Sequence, residues 1–330
     1  MPRRGWEIPE YQATPKDAFL HRRKFIKAAG LGTAGLLAGC GYEKSFEPFE
    51  TEEEVAAPNL EIPTDIPVDR PLYPAPLNPA FGMLDRPLTD EETAARINNF
   101  YEFTLLKDVW RRIEDFEPRP WTLQVSGLVR NAKTYDVDAL ISKMPLEERL
   151  YRHRCVEAWS MAIPWTGFPM KALIDEVEPF SAARFVKMTS FLNPETAPGQ
   201  WDFPQFPWPY VEGLSMEEAT NELTMLATGV YGHELPKQHG APIRLVTPWK
   251  YGFKGVKSIV SIEFTSVQPA TFWNTIAPQE YGFFANVNPE VPHPRWSQAS
   301  ERFYLPDKRI ERRPTLLYNG YEEYVGHIYG

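Results

Sequence analysis

The sequence predicts an α+β domain of short strands interleaved with short helices. Three observations carry this. Apolar and polar residues alternate in runs of about five to nine, the period of strands with one buried face. Helix starts carry capping residues, yet the apolar stripes behind them extend for only about two or three turns. Thirty-three prolines in 330 residues disfavour long helices and impose rigid connections. There is no Gly-x-Gly-x-x-Gly fingerprint, P-loop or internal repeat, which argues against nicotinamide or ATP as a cofactor.

Residues 1–40 are expected to be an export signal. Arg22-Arg23 precede a weakly apolar, glycine-rich run over 28–38 that is too short to span a bilayer as a helix. Twin arginines ahead of such a run mark the Tat route to the periplasm. The segment ends in Leu37-Ala38-Gly39-Cys40, which resembles a lipobox. Cys40 is then either lipidated, anchoring the chain, or removed with the signal. Residues 41–86 are acidic, proline-rich and aperiodic, the pattern of an extended arm. Residues 87–330 are expected to form the folded domain.

Within that domain, Thr89-Asp90-Glu91-Glu92 reads as a capping box opening a short helix that ends near Asn98. Residues 121–126 alternate as a strand, and 127–133 turn the chain back. Asp136 caps a helix running to Lys143, and 149–155 are compatible with a strand that delivers Cys155 to its end. A helix is expected over 168–177 with Pro169 in its first turn, and a strand over 184–191. Ser215 to Glu218 form a second capping box, 223–229 and 243–247 read as strands, and 257–265 alternates cleanly. From Gln268 onward the chain is loop-rich and aromatic.

Beyond the signal, 28 basic and 41 acidic residues leave a net charge near −13, which disfavours nucleic acid or an anionic membrane surface as partner. Cys155 is then the only remaining thiol. Exported proteins usually use cysteines in pairs, so a lone thiol is either buried and inert or held by a metal. Arg152, His153 and Arg154 precede it, and positive neighbours favour the thiolate, a soft metal ligand. Zinc would want three or four protein ligands at close spacing, whereas the six histidines are scattered. A one-cysteine metal site needs ligands from elsewhere, and the dithiolene of molybdopterin would supply them. The competing reading makes Cys155 a nucleophile with His153 as base. It is weak, because residues two apart on a strand sit roughly 7 Å from one another.

Two further stretches bear chemistry. The run from His239 to Lys257 holds Arg244, Lys250, Lys254 and Lys257 beside glycines, which suits a phosphate monoester; a solvated basic hairpin has the same composition. Asn98-Asn99-Phe100-Tyr101-Glu102 gathers amide, phenol and carboxylate able to bond a polar heterocycle, and a helix C-terminus accounts for the same residues.

Taken together, residues 98–103 (NNFYEF), 154–161 (RCVEAWSM) and 240–259 (GAPIRLVTPWKYGFKGVKSI) resemble the catalytic subunits of bacterial periplasmic protein-methionine-sulfoxide reductases, molybdopterin enzymes of the sulfite oxidase superfamily. The resemblance runs from the twin arginines to the Tyr318-Asn319-Gly320-Tyr321 tail. It implies a sulfite-oxidase-type molybdopterin-binding domain over 87–330. The extra dimerisation domain of that superfamily is expected to be missing, since about 60 residues beyond Thr265 are too few for it. Cys155 would be the sulfur ligand of molybdenum and the catalytic residue. Asn98, Tyr101 and Glu102 would contact the pterin. Thr189, with Ser190 as the alternative, matches a cofactor-binding threonine. Arg244 and the Gly255-Val256-Lys257 turn would hold the phosphate end, and His239 stands where relatives carry asparagine. Glu157 would relay protons or make a structural hydrogen bond. Trp159, Trp165, Trp201, Phe203, Phe206 and Trp208 would line an apolar approach or fill the core.

The implied reaction removes oxygen from methionine sulfoxide in oxidised periplasmic proteins, with molybdenum-molybdopterin as cofactor. Electrons would come from an MsrQ-like membrane haem b subunit, the chain being a monomer within a heterodimer. Sulfite or other S- or N-oxide chemistry on the same scaffold, and a non-enzymatic exported lipoprotein, are the alternatives.

Overall fold

The computed structural model describes residues 72–330; Arg22-Arg23, Cys40 and most of the expected arm lie outside the described residues. The chain divides into Met1–Glu61 and Ile62–Gly330, and the described residues all belong to the second unit. Its strands are β1 (Thr122–Gly127), β2 (Lys133–Asp136), β3 (Glu147–Arg154), β4 (Trp159–Pro169), β5 (Phe185–Ser190), β6 (Val211–Ser215), β7 (Met225–Val230), β8 (His233–Glu234), β9 (Arg244–Val246), β10 (Ile259–Thr265), β11 (Ser300–Tyr304) and β12 (Ile310–Pro314). The α-helices are short: α1 (Glu91–Arg96), α2 (Val137–Lys143), α3 (Met170–Val177), α4 (Pro198–Asp202), α5 (Met216–Thr220), α6 (Phe272–Ile276) and α7 (Glu322–Tyr329).

The strands make two mixed sheets. The smaller has the order β2-β1-β10-β5-β6, with β1 and β10 parallel. The larger has the order β12-β11-β4-β7-β8, with β3 on β4 and β9 on β7. Period-2 geometry sends successive side chains of a strand to opposite faces. In β7, Leu226 enters the core shared with α2, α3 and the smaller sheet. Its neighbours Met225 and Ala227 enter a second core on the other face. The larger sheet is thus covered on both sides, and β4 is buried at every position but its last. A strand buried on both faces has no polar alternation to betray it. That is why residues 159–167 gave no strand expectation, although they form the longest strand of the described chain.

Several expected boundaries shift for local reasons. The N-cap of α1 is Asp90, whose carboxylate accepts from the Thr93 N–H. Thr89 instead donates to the Tyr304 carbonyl and accepts from the Ala162 N–H. Phe168 and Pro169 complete β4, so Pro169 precedes α3 as its N-cap instead of lying in its first turn. The Ser215–Glu218 capping box forms as the sequence reads it. The region after Gln268 contains the β11–β12 hairpin and the terminal helix α7 in addition to loops.

Residues 72–86 lie along the body as a strap. The Asn78 N–H donates to the Glu148 carbonyl at 2.9 Å and the Glu148 N–H to the Pro76 carbonyl at 2.8 Å, Tyr73 Oη donates to the Thr228 carbonyl at 2.9 Å, and Arg86 reaches Glu301 at 2.7 Å. Met83 protrudes from it, 89% exposed.

Where β4 slips register against β7, between Thr166 and Gly167, the backbones close up. A Cβ on Gly167 would fall 2.2 Å from the Leu226 carbonyl oxygen. Gly167→Ala is therefore expected to lower stability by about 1–3 kcal/mol, the usual cost of overpacking, read as a drop in the urea unfolding midpoint at unchanged slope.

Candidate active site

Cys155 sits at the turn of the β3–β4 hairpin. Its N–H donates to the Trp159 carbonyl at 2.9 Å, its carbonyl accepts from the Ala158 N–H at 3.0 Å, and Ala158 takes a left-handed conformation with φ 62°. A turn bond followed by a left-handed residue is the geometry of a three-residue hairpin loop. It turns the thiol inward, where the Glu157 N–H lies 3.4 Å and the Asn99 amide nitrogen 3.5 Å from the sulfur. Burial pushes the thiol up to about 12, with the Glu157 carboxylate acting in the same direction. Arg154 does act toward the thiolate, as its position in the chain suggests, but burial outweighs it. Alternation along β3 turns the Arg154 guanidinium to Glu301, Thr315 and Gln298, at 3.0, 2.7 and 2.6 Å.

The thiol opens into a slot walled by three stretches distant in sequence: Asn98 to Glu102, His153 to Trp165, and His239 to Lys257. The cavity is small, about 60 Å³. Its walls stand close together. An aromatic cluster beneath the first wall, with Phe100 and Phe103 edge to face at 4.8 Å, fixes that segment.

The basic run divides into two pairs. Lys250 bonds Glu218, the Phe284 carbonyl at 2.8 Å and Asn286 at 2.9 Å. Lys254 bonds Glu212 at 2.8 Å and the Phe283 carbonyl at 2.7 Å. Both lysines are fully buried and compensated, so the run is no solvated hairpin. Arg244 and Lys257 face the slot instead. Arg244 is 5% exposed, yet its guanidinium finds only the His239 and Leu245 carbonyls, at 2.9 and 3.4 Å, and the Trp165 ring. Neither Arg244 nor Lys257 is ion-paired among the described residues. Burial lowers Arg244 to about 10, and burial together with Arg244 lowers Lys257. Gly255 allows the close approach, since a Cβ there would meet Arg244 Nη2 at 2.8 Å.

The slot also gathers polar atoms without partners. Asn98 donates to the Ala94 and Ala95 carbonyls at 3.0 and 3.1 Å, capping α1, but its Oδ1 is buried and unbonded, as are Asn99 Oδ1 and Trp165 Nε1. Burial raises the Glu102 carboxyl. Burial, with Arg244 next, lowers His153 and His239 to about 3, so both imidazoles are neutral. Buried polar atoms are normally satisfied; two acceptors and a donor left open in one slit match a polar heterocycle.

A family model described as oxidoreductase molybdopterin binding domain matches residues 110–273, which include Cys155, Arg244 and Lys257. Two curated proteins called protein-methionine-sulfoxide reductase catalytic subunit MsrP are similar over nearly the whole chain. That of Burkholderia mallei is 46% identical over 98% of this chain and 94% of its own length. That of Ralstonia nicotianae is 44% identical over 99% and 95%. The chain belongs to the MsrP family. Among solved structures, the sulfane dehydrogenase SoxCD of Paracoccus pantotrophus is similar over 61% of this chain and 46% of its own, at 15% identity and a TM-score of 0.41.

The walls of this MsrP-family slot fit molybdopterin. The unpaired cations answer a phosphate, the open amide oxygens and indole N–H answer a pterin edge, and the thiol is a soft ligand. No three His, Cys, Asp or Glu side chains converge among the described residues, so a metal at Cys155 would take its other ligands from the cofactor.

Of the residues singled out in the sequence, Asn98, Tyr101, Glu102, Cys155, His239, Arg244, Gly255 and Lys257 line the slot. Val256 points into the main core. Thr189 lies outside the lining, while Ser190 is turned to the opposite face of β5, donates to the Lys257 carbonyl at 2.9 Å and adjoins Glu102. Trp159 and Trp165 line the slot. Trp201 is 75% exposed, and Phe203, Phe206 and Trp208 lie outside the lining, Phe206 and Trp208 packing on the Phe272 and Trp273 rings that back Tyr210 and Tyr101. Glu157 accepts from Trp159 Nε1 at 3.1 Å and pairs with Lys107. Sequence reading overlooked Asn99, though its position beside Asn98 marked the segment, and took His153 as a positive neighbour or a base where it is a neutral wall of the slot.

The two kinds of cation are expected to respond differently to mutation. Glu212→Ala strands the buried Lys254 charge and should cost about 3–5 kcal/mol of stability. Arg244→Ala should cost the cofactor-free protein less in urea unfolding. It should nevertheless lower cofactor content about 10- to 100-fold at limiting cofactor, as loss of a charge-assisted bond of about 1.5–3 kcal/mol requires. Wild-type cofactor content in Arg244→Ala would remove this residue from the phosphate site.

Proposed function

We propose that this chain is a molybdenum-dependent oxidoreductase that reduces methionine sulfoxide in proteins. The observation that carries the reading is the convergence, in one narrow slot, of a lone buried thiol with two cations, Arg244 and Lys257, neither of them ion-paired among the described residues. Membership of the MsrP family supports the same reaction.

When bound, the molybdenum centre supplies the two-electron chemistry by which a sulfoxide, two protons and two electrons become a thioether and water. The chain's own residues hold and orient. Cys155 gives the sulfur ligand, and the Asn99 amide and Glu157 N–H donate to that sulfur. Such bonds favour the deprotonated form once a metal replaces the proton. Arg244 and Lys257 bind the phosphate, and Asn98, Tyr101 and Glu102 face the pterin. Trp159 and Trp165 wall the slot, and burial there strengthens each of these charge interactions. The Glu157 carboxylate, held by Lys107 and Trp159, anchors the rim of the hairpin.

A catalytic subunit, as the relatives are named, works with another chain. We assign the electron donor to an MsrQ-like haem b subunit in the membrane, and the site of action to the periplasm after Tat export. No helix of the described residues is long and apolar enough to cross a membrane. The domain scheme is a signal over 1–40, an arm over 41–86 and the catalytic domain over 87–330, with the end of the arm serving as the strap.

Cys155→Ser should abolish sulfoxide reduction with a dye donor while the protein stays folded, because a hydroxyl is a harder and less acidic ligand. Metal analysis of the wild type should find molybdenum. Full activity in the variant would sink the assignment of Cys155, and a wild type without molybdenum would sink the function.

Export makes a separate prediction. Changing Arg22 and Arg23 together to Lys should leave folded, molybdenum-loaded precursor on the cytoplasmic side, measured by fractionation. Continued export of active protein would refute the Tat route. A lipid label on Cys40 of the mature chain would mean a tethered enzyme, and a mature N-terminus beyond Cys40 a free one.

A further inference from the structure

A groove of about 1000 Å³ runs outward from the slot. Tyr101, Val156 and Phe253 line both spaces, so the groove leads to the mouth above Cys155. Its far wall is the face of the β11–β12 hairpin that carries Ser300, Arg302, Ile310 and Arg312.

The charge of this wall is unusual. Arg302 and Arg312 are direct cross-strand partners, and both are exposed. Like charges facing one another across an antiparallel pair are destabilising, and the acceptors they find are neutral. Arg302 donates to the Glu157 carbonyl at 3.1 Å and Arg312 to Ser300 Oγ at 2.9 Å. Neither is ion-paired among the described residues. Arg295 adds a third guanidinium, paired with Glu280 at 2.6 Å. The carboxylate in the lining, Glu157, is already held by Lys107. A cationic groove has thus formed on a chain whose net charge is −9.

The geometry points to this groove as the seat of the polypeptide that carries the sulfoxide, and to a preference for extended segments with acidic residues beside the methionine. The inference rests on the reading of the slot as a methionine-sulfoxide reductase site and adds a substrate preference to it. A free amino acid would need only the slot. A groove continuous with it, with room for several residues of chain, serves a polymer. Charges at a rim act mainly on encounter and on salt dependence, so the preference belongs in kcat/KM and weakens as salt rises. An electron donor would need proximity to the slot, but no groove continuous with its mouth.

The test uses holoenzyme and synthetic peptides of equal length with one central methionine, flanked either by Asp and Glu or by Lys and Arg. Binding of the unoxidised, fluorescently labelled peptides is measured by anisotropy, which needs no turnover. Reduction of the sulfoxide forms is measured with a dye donor. The acidic peptide should bind about tenfold more tightly and be reduced with correspondingly higher kcat/KM, since several exposed pairs each contribute about a few-fold. The ratio should fall toward one at about 1 M salt, where the Debye length is about 3 Å. Arg302→Glu with Arg312→Glu should invert it; the ratio between peptides is read, so cofactor loading and electron supply cancel. Equal binding of the two peptides by the wild type overturns the proposal, even where both sulfoxides are reduced and the reductase reading stands. A preference that survives the double variant overturns it as well, and loss of electron uptake from the membrane donor alone would assign the face to that partner. If the binding preference appears but no sulfoxide is reduced, the groove stands and the reductase reading falls.

Discussion

Arg154, Arg244, Lys250 and Lys254 are all buried, and the way each charge is or is not answered organises the molecule. Glu301 answers Arg154, Glu218 answers Lys250 and Glu212 answers Lys254. Each of these pairs ties a segment of the site to a different part of the body: β3 to β11, the run after β9 to α5, and the same run to β6. A buried charge whose partner is removed is far more damaging than a pair replaced as a whole, so the three pairs hold the walls in register. Arg244 is the exception. Among the described residues its guanidinium has only backbone carbonyls and an indole face, and with Lys257 it marks where the fold is completed by something those residues do not provide.

The remaining architecture serves to keep these groups in place. A sheet with a core on each face gives β3 and β4 a rigid setting, and their hairpin carries the thiol. The segment from Asn98 to Glu102 is pinned from beneath by Phe100, Phe103, Phe116 and Phe191. Gly199 lets the chain near α4 pass close to it, since a Cβ there would lie 2.3 Å from the Tyr101 carbonyl oxygen. Strands, aromatic rings and close backbone contacts therefore fix the three walls of the slot independently of one another.

Much of this was legible in the sequence where one face of an element meets water. β1, β10, α2 and the capping box of α5 show their period or their caps plainly. β4 does not, because its surroundings are apolar on both sides. β12 was hidden for the opposite reason, as its exposed, charged residues resemble a loop. At the site, the lone cysteine and the basic run announced themselves by residue type. Composition could not tell which cations are answered, because Lys250 and Lys254 find their carboxylates 32 and 42 residues away in sequence. Adjacency along a strand overstated the effect of Arg154, which is next to Cys155 in the chain and faces elsewhere. At the end of α1 the rotation of a single residue decided that Asn99, not Asn98, would face the sulfur.

For a protein whose proposed substrate is oxidised methionine, the disposition of its own thioethers has a consequence. Met144, Met161, Met170, Met188 and Met225 are 4% exposed or less, and a sulfoxide formed at any of them would place a polar group in a packed interior. Met83, on the strap, stands almost fully in solvent and makes no part of either sheet. An oxidant meeting the described body would mark Met83 first and leave the framework around Cys155 unaltered. Oxidation would thus begin on the strap, outside the two sheets that hold Cys155.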